Sequence, residues 1–313
     1  MNPTPAPASV RGAESCVAPL TTTYRRLGAL SPNLNLGIAP EDGPTGAAGS
    51  AGSTGSAGNS RDAAPAGDDR TGPADAWTDL GELAREPRVL DALLEAEGAR
   101  CAGNSATGIR PDVVASRMLH RILWATCLLL SGPWYLERRV PRLGPSDVRI
   151  GRRDEALQIV VPGGFACLPD DPAASLTGAH VLPDEEALRQ ELRTAAADQA
   201  RPLIAALAQR ARRGPRALWG MVEDDLVSGI WHLGRATGEE DKAVAAAGEL
   251  LPKPMAPFPA GAGFRRLHGG DGTAYATRTR AGCCLFYAVS PGEACATCPR
   301  VGDADRLARI EAG

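Results

Sequence analysis

The sequence is poor in lysine, in aromatic residues and in long apolar runs. Lys242 and Lys253 are its only lysines among 34 Lys+Arg, a bias that, with the Ala, Gly and Pro richness, reflects GC-rich coding rather than function. The formal net charge is −3. A nucleic-acid-binding chain would carry a strongly basic footprint, so that class is disfavoured. The N-terminal ten residues lack a positive region followed by an apolar run, and no signal peptide is expected. The most apolar stretch, 122–136, is bounded by Arg121 and Glu137 and interrupted by Gly132 and Pro133. A membrane-spanning helix needs about 20 apolar residues, so a buried helix and a cytoplasmic, non-spanning chain are expected. There is no solenoid-type repeat, no Gly-rich phosphate loop and no flavin or nicotinamide fingerprint.

What is present is enough for a core: 313 residues, 43% of them hydrophobic. The length suggests about two domains. Residues 1–39 hold one N-terminal element, a helix over 20–30 with Tyr24, Leu27 and Leu30 at helical spacing and Ser31-Pro32 as its stop. Residues 40–76 form a Gly/Ala/Ser-rich linker. Between 41 and 70 there is no Val, Ile, Leu, Met or aromatic residue, and such a segment cannot bury enough apolar area to offset chain entropy. Residues 77–257 are expected to be a helical α+β body, and 258–313 a C-terminal segment.

Within the body, 79–96 predicts two short helices divided by Pro87. A long core helix is expected over 112–130. A small antiparallel sheet follows, from strands at 148–150, 156–161 and 165–168, separated by Pro-Gly-Gly and Pro-Asp-Asp-Pro turns. Helices are then expected after Pro183, from Pro202, from Pro215 (with Trp219, Val222, Leu226, Ile230 and Leu233 along one stripe) and over 239–250. The proline-rich 252–259 reads as an extended connector, and 264–267 and 274–279 as two strands.

The cysteines carry the chemistry. Of eight, Cys16, Cys101, Cys127 and Cys167 are isolated, whereas Cys283, Cys284, Cys295 and Cys298 fall within sixteen positions. In a reducing compartment a tight cluster is more often metal-binding or catalytic than a disulfide framework. Four thiolates suit a [2Fe–2S] cluster, in which each iron takes two protein sulfurs. A Cys-x-x-Cys turn aims both sulfurs at one metal. A vicinal pair on a strand points to opposite faces, so a kink is required at Cys283-Cys284. A Cys₄ zinc site, which would usually show two knuckles, and a disulfide or redox thiol at Cys295/Cys298 stay open on spacing alone.

Arg278-Thr279-Arg280-Ala281-Gly282-Cys283-Cys284-Leu285-Phe286-Tyr287, followed by Cys295-Ala296-Thr297-Cys298-Pro299, closely resembles the C-terminal iron–sulfur motif of the FhuF-like ferric-siderophore reductase family. Upstream segments resemble actinobacterial-type members, among them Leu119-His120-Arg121, the run 133–142 and Arg216-Ala217-Leu218-Trp219-Gly220-Met221. The resemblance covers about 77–306; the linker departs from it. It implies a [2Fe–2S] cluster on Cys283, Cys284, Cys295 and Cys298, and one-electron reduction of ferric siderophores. It also implies an upstream part similar to the ligand-binding portion of siderophore-handling proteins of the IucA/IucC type. The partners expected are a ferric siderophore and an external electron donor such as a ferredoxin. A non-catalytic iron–sulfur or zinc protein that binds siderophore or a partner is the alternative. A siderophore-biosynthetic ligase remnant is a third reading, weakened by the missing phosphate loop.

Other residues are weighed against plainer roles. Arg278 and Arg280 either stabilise an anionic cluster or form a solvated strand end. Arg280, Tyr287 and Thr297 are candidates to support the cluster, the last two by hydrogen bonds to sulfur, although packing is the plainer reading for Tyr287. The four histidines, His120, His180, His232 and His268, have no metal-like spacing and read as structural or surface. Asp224-Asp225 after Glu223 reads as a solvated helix face, and Trp124, Trp134, Trp219 and Trp231 as core.

Overall fold

The computed structural model describes residues 19–39, 77–103, 108–152, 156–290 and 293–312. The linker expected over 40–76 and Cys16 lie outside them. The architecture is α+β, as expected.

Helix α1 (Pro19–Leu30) buries Leu20, Tyr24 and Leu27, one stripe at helical spacing. A 3-10 turn at Pro32–Leu34 ends it, and strand β1 (Leu36–Ile38) follows. Strand β2 (Trp77–Asp79) leads into helices α2 (Leu80–Arg85) and α3 (Pro87–Ala102), divided at Pro87 as the sequence predicts. Asp79 caps α2 by accepting from the Glu82 amide at 2.8 Å.

Helix α4 (Pro111–Glu137) is the central element, packed against α1, α3 and the two long helices that follow it. It is long and apolar enough to cross a membrane, but 72% of its most apolar window is buried inside the fold. The helix runs past the expected end at residue 130, through Gly132 and Pro133. Pro133 has no amide to offer the carbonyl of Leu129, four residues back. The Tyr24 hydroxyl donates to that carbonyl instead, at 3.2 Å. Gly132 leaves room for Leu27 at the same place: a Cβ there would lie 3.0 Å from both Leu27 methyl groups. Helix α1 therefore fills the break that the sequence puts into α4.

Among the described residues the strands form three small sheets, and the strands at 148–168, expected in one antiparallel sheet, are divided between two. β4 (Val148–Gly151) pairs antiparallel with β5 (Leu157–Ile159) and with β2, and β5 also pairs parallel with β1. β6 (Phe165–Cys167) joins a separate sheet between β3 (Val140–Pro141), antiparallel, and β7 (Ala179–Val181), parallel.

Helix α5 (Glu185–Ala211) is continuous through Pro202, where a helix start was expected. Its buried face, Leu188, Leu192, Ala196, Ala200, Leu203 and Leu207, keeps its phase across the proline. Packing against α4 thus outweighs the local break. Asp198, whose carbonyl loses its helical donor to Pro202, lies on the exposed face.

Helix α6 (Pro215–Thr237) buries Leu218, Met221, Val222, Leu226, Ile230 and Leu233 against α4, and Gly238 ends it in the left-handed region at φ 74°. Helix α7 (Glu240–Leu250) packs back on it. The hairpin β8 (Phe264–His268) and β9 (Ala274–Arg278) then delivers the chain to the cysteines, and α8 (Asp303–Glu311) closes it.

Candidate metal centre

The cysteine segment is held against α6 by buried charge. Asp224, on that helix, has no exposed surface. Its carboxylate accepts from Arg278 Nη2 at 2.7 Å, the Ala281 amide at 3.0 Å and the Gly282 amide at 2.7 Å. Arg280 Nε lies 3.5 Å from its second oxygen. The neighbouring Asp225, equally buried, accepts from Arg280 Nη2 at 2.8 Å and from His120 Nδ1, on α4, at 2.8 Å. Arg278 also reaches the Ala262 carbonyl at 2.8 Å. The solvated face expected for Asp224-Asp225 is therefore corrected. The pair is a buried anchor, and Arg278 and Arg280 are its partners, not a solvated strand end. An unpaired carboxylate could not be held there; two guanidinium groups and two amides make the burial tolerable.

The backbones meet closely at this point. A Cβ on Gly282 would lie 2.9 Å from the Met221 amide nitrogen and 3.0 Å from the Ala217 carbonyl oxygen. Only glycine lets the loop sit on the helix at that distance.

The loop that follows is irregular, as the vicinal pair requires. Cys283 is half-buried and Cys284 buried, and Leu285 takes a left-handed conformation, φ 58°, that turns the chain. In the second half Cys298 N donates to the Cys295 carbonyl at 3.0 Å, closing a tight turn. Two contacts join the halves. Arg280 N donates to the Thr297 carbonyl at 3.0 Å, and the Cys284 and Cys295 sulfurs lie 3.9 Å apart. Three cysteine carbonyls of the loop accept from guanidinium groups. Arg213 donates to Cys283 O, Arg117 to Cys284 O at 3.5 Å, and Arg306 to Cys298 O at 2.9 Å.

Electrostatics follow from this frame. The hydrogen bond between Cys284 and Cys295 pulls the Cys284 thiol down to about 4, with the charges of Arg280 and His120 acting the same way against burial. Cys295 is pushed up by the same hydrogen bond and by burial. The two thiols therefore titrate as a pair. Burial pushes Asp225 up, but the charges and hydrogen bonds of His120 and Arg280 outweigh it and hold the carboxyl below its usual range. Burial raises Asp224 against the pull of Arg278 and Arg280. Glu223, whose Oε2 accepts from the Ala260 amide at 2.9 Å while Oε1 has no hydrogen-bond partner among the described residues, is pushed up to about 7 by burial.

Among the described residues no three Cys, His, Asp or Glu side chains converge as a mononuclear metal site. A binuclear cluster asks instead for two sulfurs per iron. The donor set fits that demand: thiols within one short loop, one pair already adjacent, in a frame of guanidinium groups that offsets the negative charge of four thiolates.

Beside Cys295 a cavity of about 830 Å³ opens between α4 and α6. Its lining includes Arg117, His120, Arg121, Trp124, Ser228, Trp231, His232, Arg235, Arg280 and Thr297. Trp134 and Trp231 are buried as expected, Trp231 with an edge on the cavity, whereas Trp124, expected in the core, is only partly buried and forms part of this wall. His120, expected to be structural or surface, has a defined place between Asp225 and the cavity. His180 and His268 are at the surface. Tyr287 lies under the Arg300 guanidinium, 4.3 Å from it. Thr297 takes part through its carbonyl. Cys101, Cys127 and Cys167 are buried thiols in α3, α4 and β6. The signal for Asp225 was present in the sequence: it falls on the α6 apolar stripe, seven residues after Leu218 and three after Val222. Arg117, Arg213 and Arg306 had no such signal.

Residues 280–300 match the family described as the FhuF 2Fe-2S C-terminal domain. No curated protein matches the chain. Fold, site and match together define an α+β iron–sulfur protein whose cofactor is a [2Fe–2S] cluster. The likeness to that family lies in the C-terminal segment.

Proposed function

We propose that the protein is a cytoplasmic ferric-siderophore reductase, with Cys283, Cys284, Cys295 and Cys298 holding the [2Fe–2S] cluster. The observation that carries this reading is the cavity of about 830 Å³ whose wall includes Cys295, Ala296 and Thr297. A ligand seated there lies against the segment that holds the cofactor. When bound and reduced, the cluster supplies one electron.

The chain's own residues do the rest. Arg278, Arg280 and Asp224 fix the loop on α6, so the distance from cavity to loop is set by a rigid helix. Arg117, Arg213 and Arg306 hold the loop by donating to the carbonyls of Cys284, Cys283 and Cys298, and bring positive charge to the anionic cluster's surroundings. The substrate chemistry is simple. Hydroxamate and catecholate oxygens are hard ligands that hold Fe(III) far better than Fe(II), so one electron turns a tightly chelated ion into an exchangeable one. No general acid or nucleophile is required. The electron enters from an external reduced donor such as a ferredoxin.

The test is anaerobic purification with metal and sulfide analysis, then rapid mixing of the dithionite-reduced protein with a ferric siderophore and a ferrous-specific chelator. The expected result is iron and sulfide at about two of each per chain, with visible absorption that bleaches on reduction and recovers as Fe(II) appears. A colourless zinc protein, even after anaerobic reconstitution, would refute the reading. A reduced cluster that passes no electron to any ferric chelate would leave a binding protein instead.

A further inference from the structure

The cavity beside Cys295 has a charge that the chain as a whole lacks. The protein is net acidic, −3. Yet among the described residues the cavity lining contains Arg100, Arg117, Arg121, Arg235 and Arg280 and no Asp or Glu. Acidic groups lie behind the wall rather than in it. Glu97, 1% exposed, receives Arg100 and Arg121, and the fully buried Asp225 receives Arg280.

Arg117 and Arg235 stand apart from this pairing. Neither forms an ion pair among the described residues. Arg117 is laid over the Phe286 ring at 5.2 Å, and Arg235 over the Trp231 ring at 5.8 Å. Stacking holds a guanidinium in place without using up its charge or most of its donors. A concave wall with low-dielectric sides focuses such charges on whatever enters. Trp124 and Trp231 add flat apolar surface beside them.

We infer that this cavity selects ferric chelates of net negative charge, catecholate or carboxylate-bearing, over neutral or cationic hydroxamate chelates. The inference rests on the cavity being the siderophore site. A neutral or cationic complex would enter a field of fixed positive charge with nothing to answer it, whereas an anionic one gains charge-assisted hydrogen bonds from donors already oriented.

Binding can be measured apart from electron transfer by replacing Fe(III) with redox-inert Ga(III), which keeps chelate charge and shape. Titration calorimetry on the cluster-loaded protein would use three probes: a Ga(III) tris-catecholate, a Ga(III) citrate-type chelate and a Ga(III) tris-hydroxamate. The expected result is at least about tenfold tighter binding of an anionic probe than of the tris-hydroxamate, the difference shrinking as salt rises. The first two probes tell aryl from carboxylate recognition. Arg235→Glu should weaken the anionic probe by about tenfold or more and leave the tris-hydroxamate unchanged, with Arg235→Gln in between. Arg235 is exposed, so neither variant should disturb folding. Equal or tighter binding of the tris-hydroxamate, or no binding of any probe, would overturn the inference. Reduction assays with the Fe(III) chelates report on the reductase reading separately. Selective binding of anionic chelates without electron transfer would keep the site and sink the enzyme; turnover of hydroxamates alone would do the reverse.

Discussion

Asp224 answers four donors at once, from Arg278, Arg280, Ala281 and Gly282. Removing its charge leaves Arg278, 1% exposed, without its buried counter-ion. Asp224→Asn should therefore cost about 3 kcal/mol in urea unfolding and lower the iron bound per chain, whereas an exposed pair such as Arg201–Asp198 should be worth under about 1 kcal/mol. Gly282→Ala tests the close approach rather than the charge. The Cβ meets backbone on α6, which cannot swing aside, so the loop must lift. A cost of about 1–3 kcal/mol and a changed cluster spectrum are expected. Cys298→Ser should lose the native cluster absorption and ferric-siderophore reduction together; retention of both would refute the ligand assignment.

At the scale of elements, prolines mark where tertiary contacts overrule local preference. Pro133 would end α4 if nothing else were near. The helix continues because Tyr24 supplies the hydrogen bond that the proline cannot, and because Leu27 fills the space over Gly132. Tyr24→Phe should then destabilise by about 1–2 kcal/mol, since it leaves the buried Leu129 carbonyl without a donor while hardly changing the packed volume. Thermal or urea unfolding checks it, and the same substitution at Tyr135, whose hydroxyl bond is longer and exposed, should cost less. α5 crosses Pro202 for a different reason: its apolar face keeps phase on both sides, and the interrupted carbonyl faces solvent.

Over the whole molecule, charge is segregated rather than scarce. Carboxylates sit under the C-terminal segment and guanidinium groups line the cavity, so a near-neutral chain presents a basic concavity. Glu223 gives this arrangement a pH signature. Its ordinary value is 4.5 and burial lifts it to about 7. Between these values the folded protein binds more protons than the unfolded chain, so this group makes stability fall as pH rises through that window and contributes no further change above it. Other groups titrate as well, so the check is a difference. Wild type minus Glu223→Gln, followed by urea unfolding from pH 4 to 8, should slope downward to about pH 7 and then level off.

The sequence by itself determined the local elements and the identity of the cofactor segment. Helix stripes such as Leu20, Tyr24 and Leu27 reflect a 3.6-residue period that needs no tertiary information, and the Cys-Cys-x₁₀-Cys-x₂-Cys spacing is carried within one short loop. It did not reveal that β6 leaves the expected sheet to pair with β3 and β7, nor that β1 joins β5 from the other side of residues 40–76, because both pairings join residues distant in sequence. Nor did it reveal what the Glu-Asp-Asp run does. A carboxylate on a helix is solvated unless its counter-ions arrive, and those of Asp224 come from residues more than 50 positions away. The cavity was hidden for the same reason. Arg117 on α4, Arg235 on α6 and Cys295 on the C-terminal loop share no local pattern. Only the packing of α4 on α6, and the docking of the loop across both, decides that they face one volume.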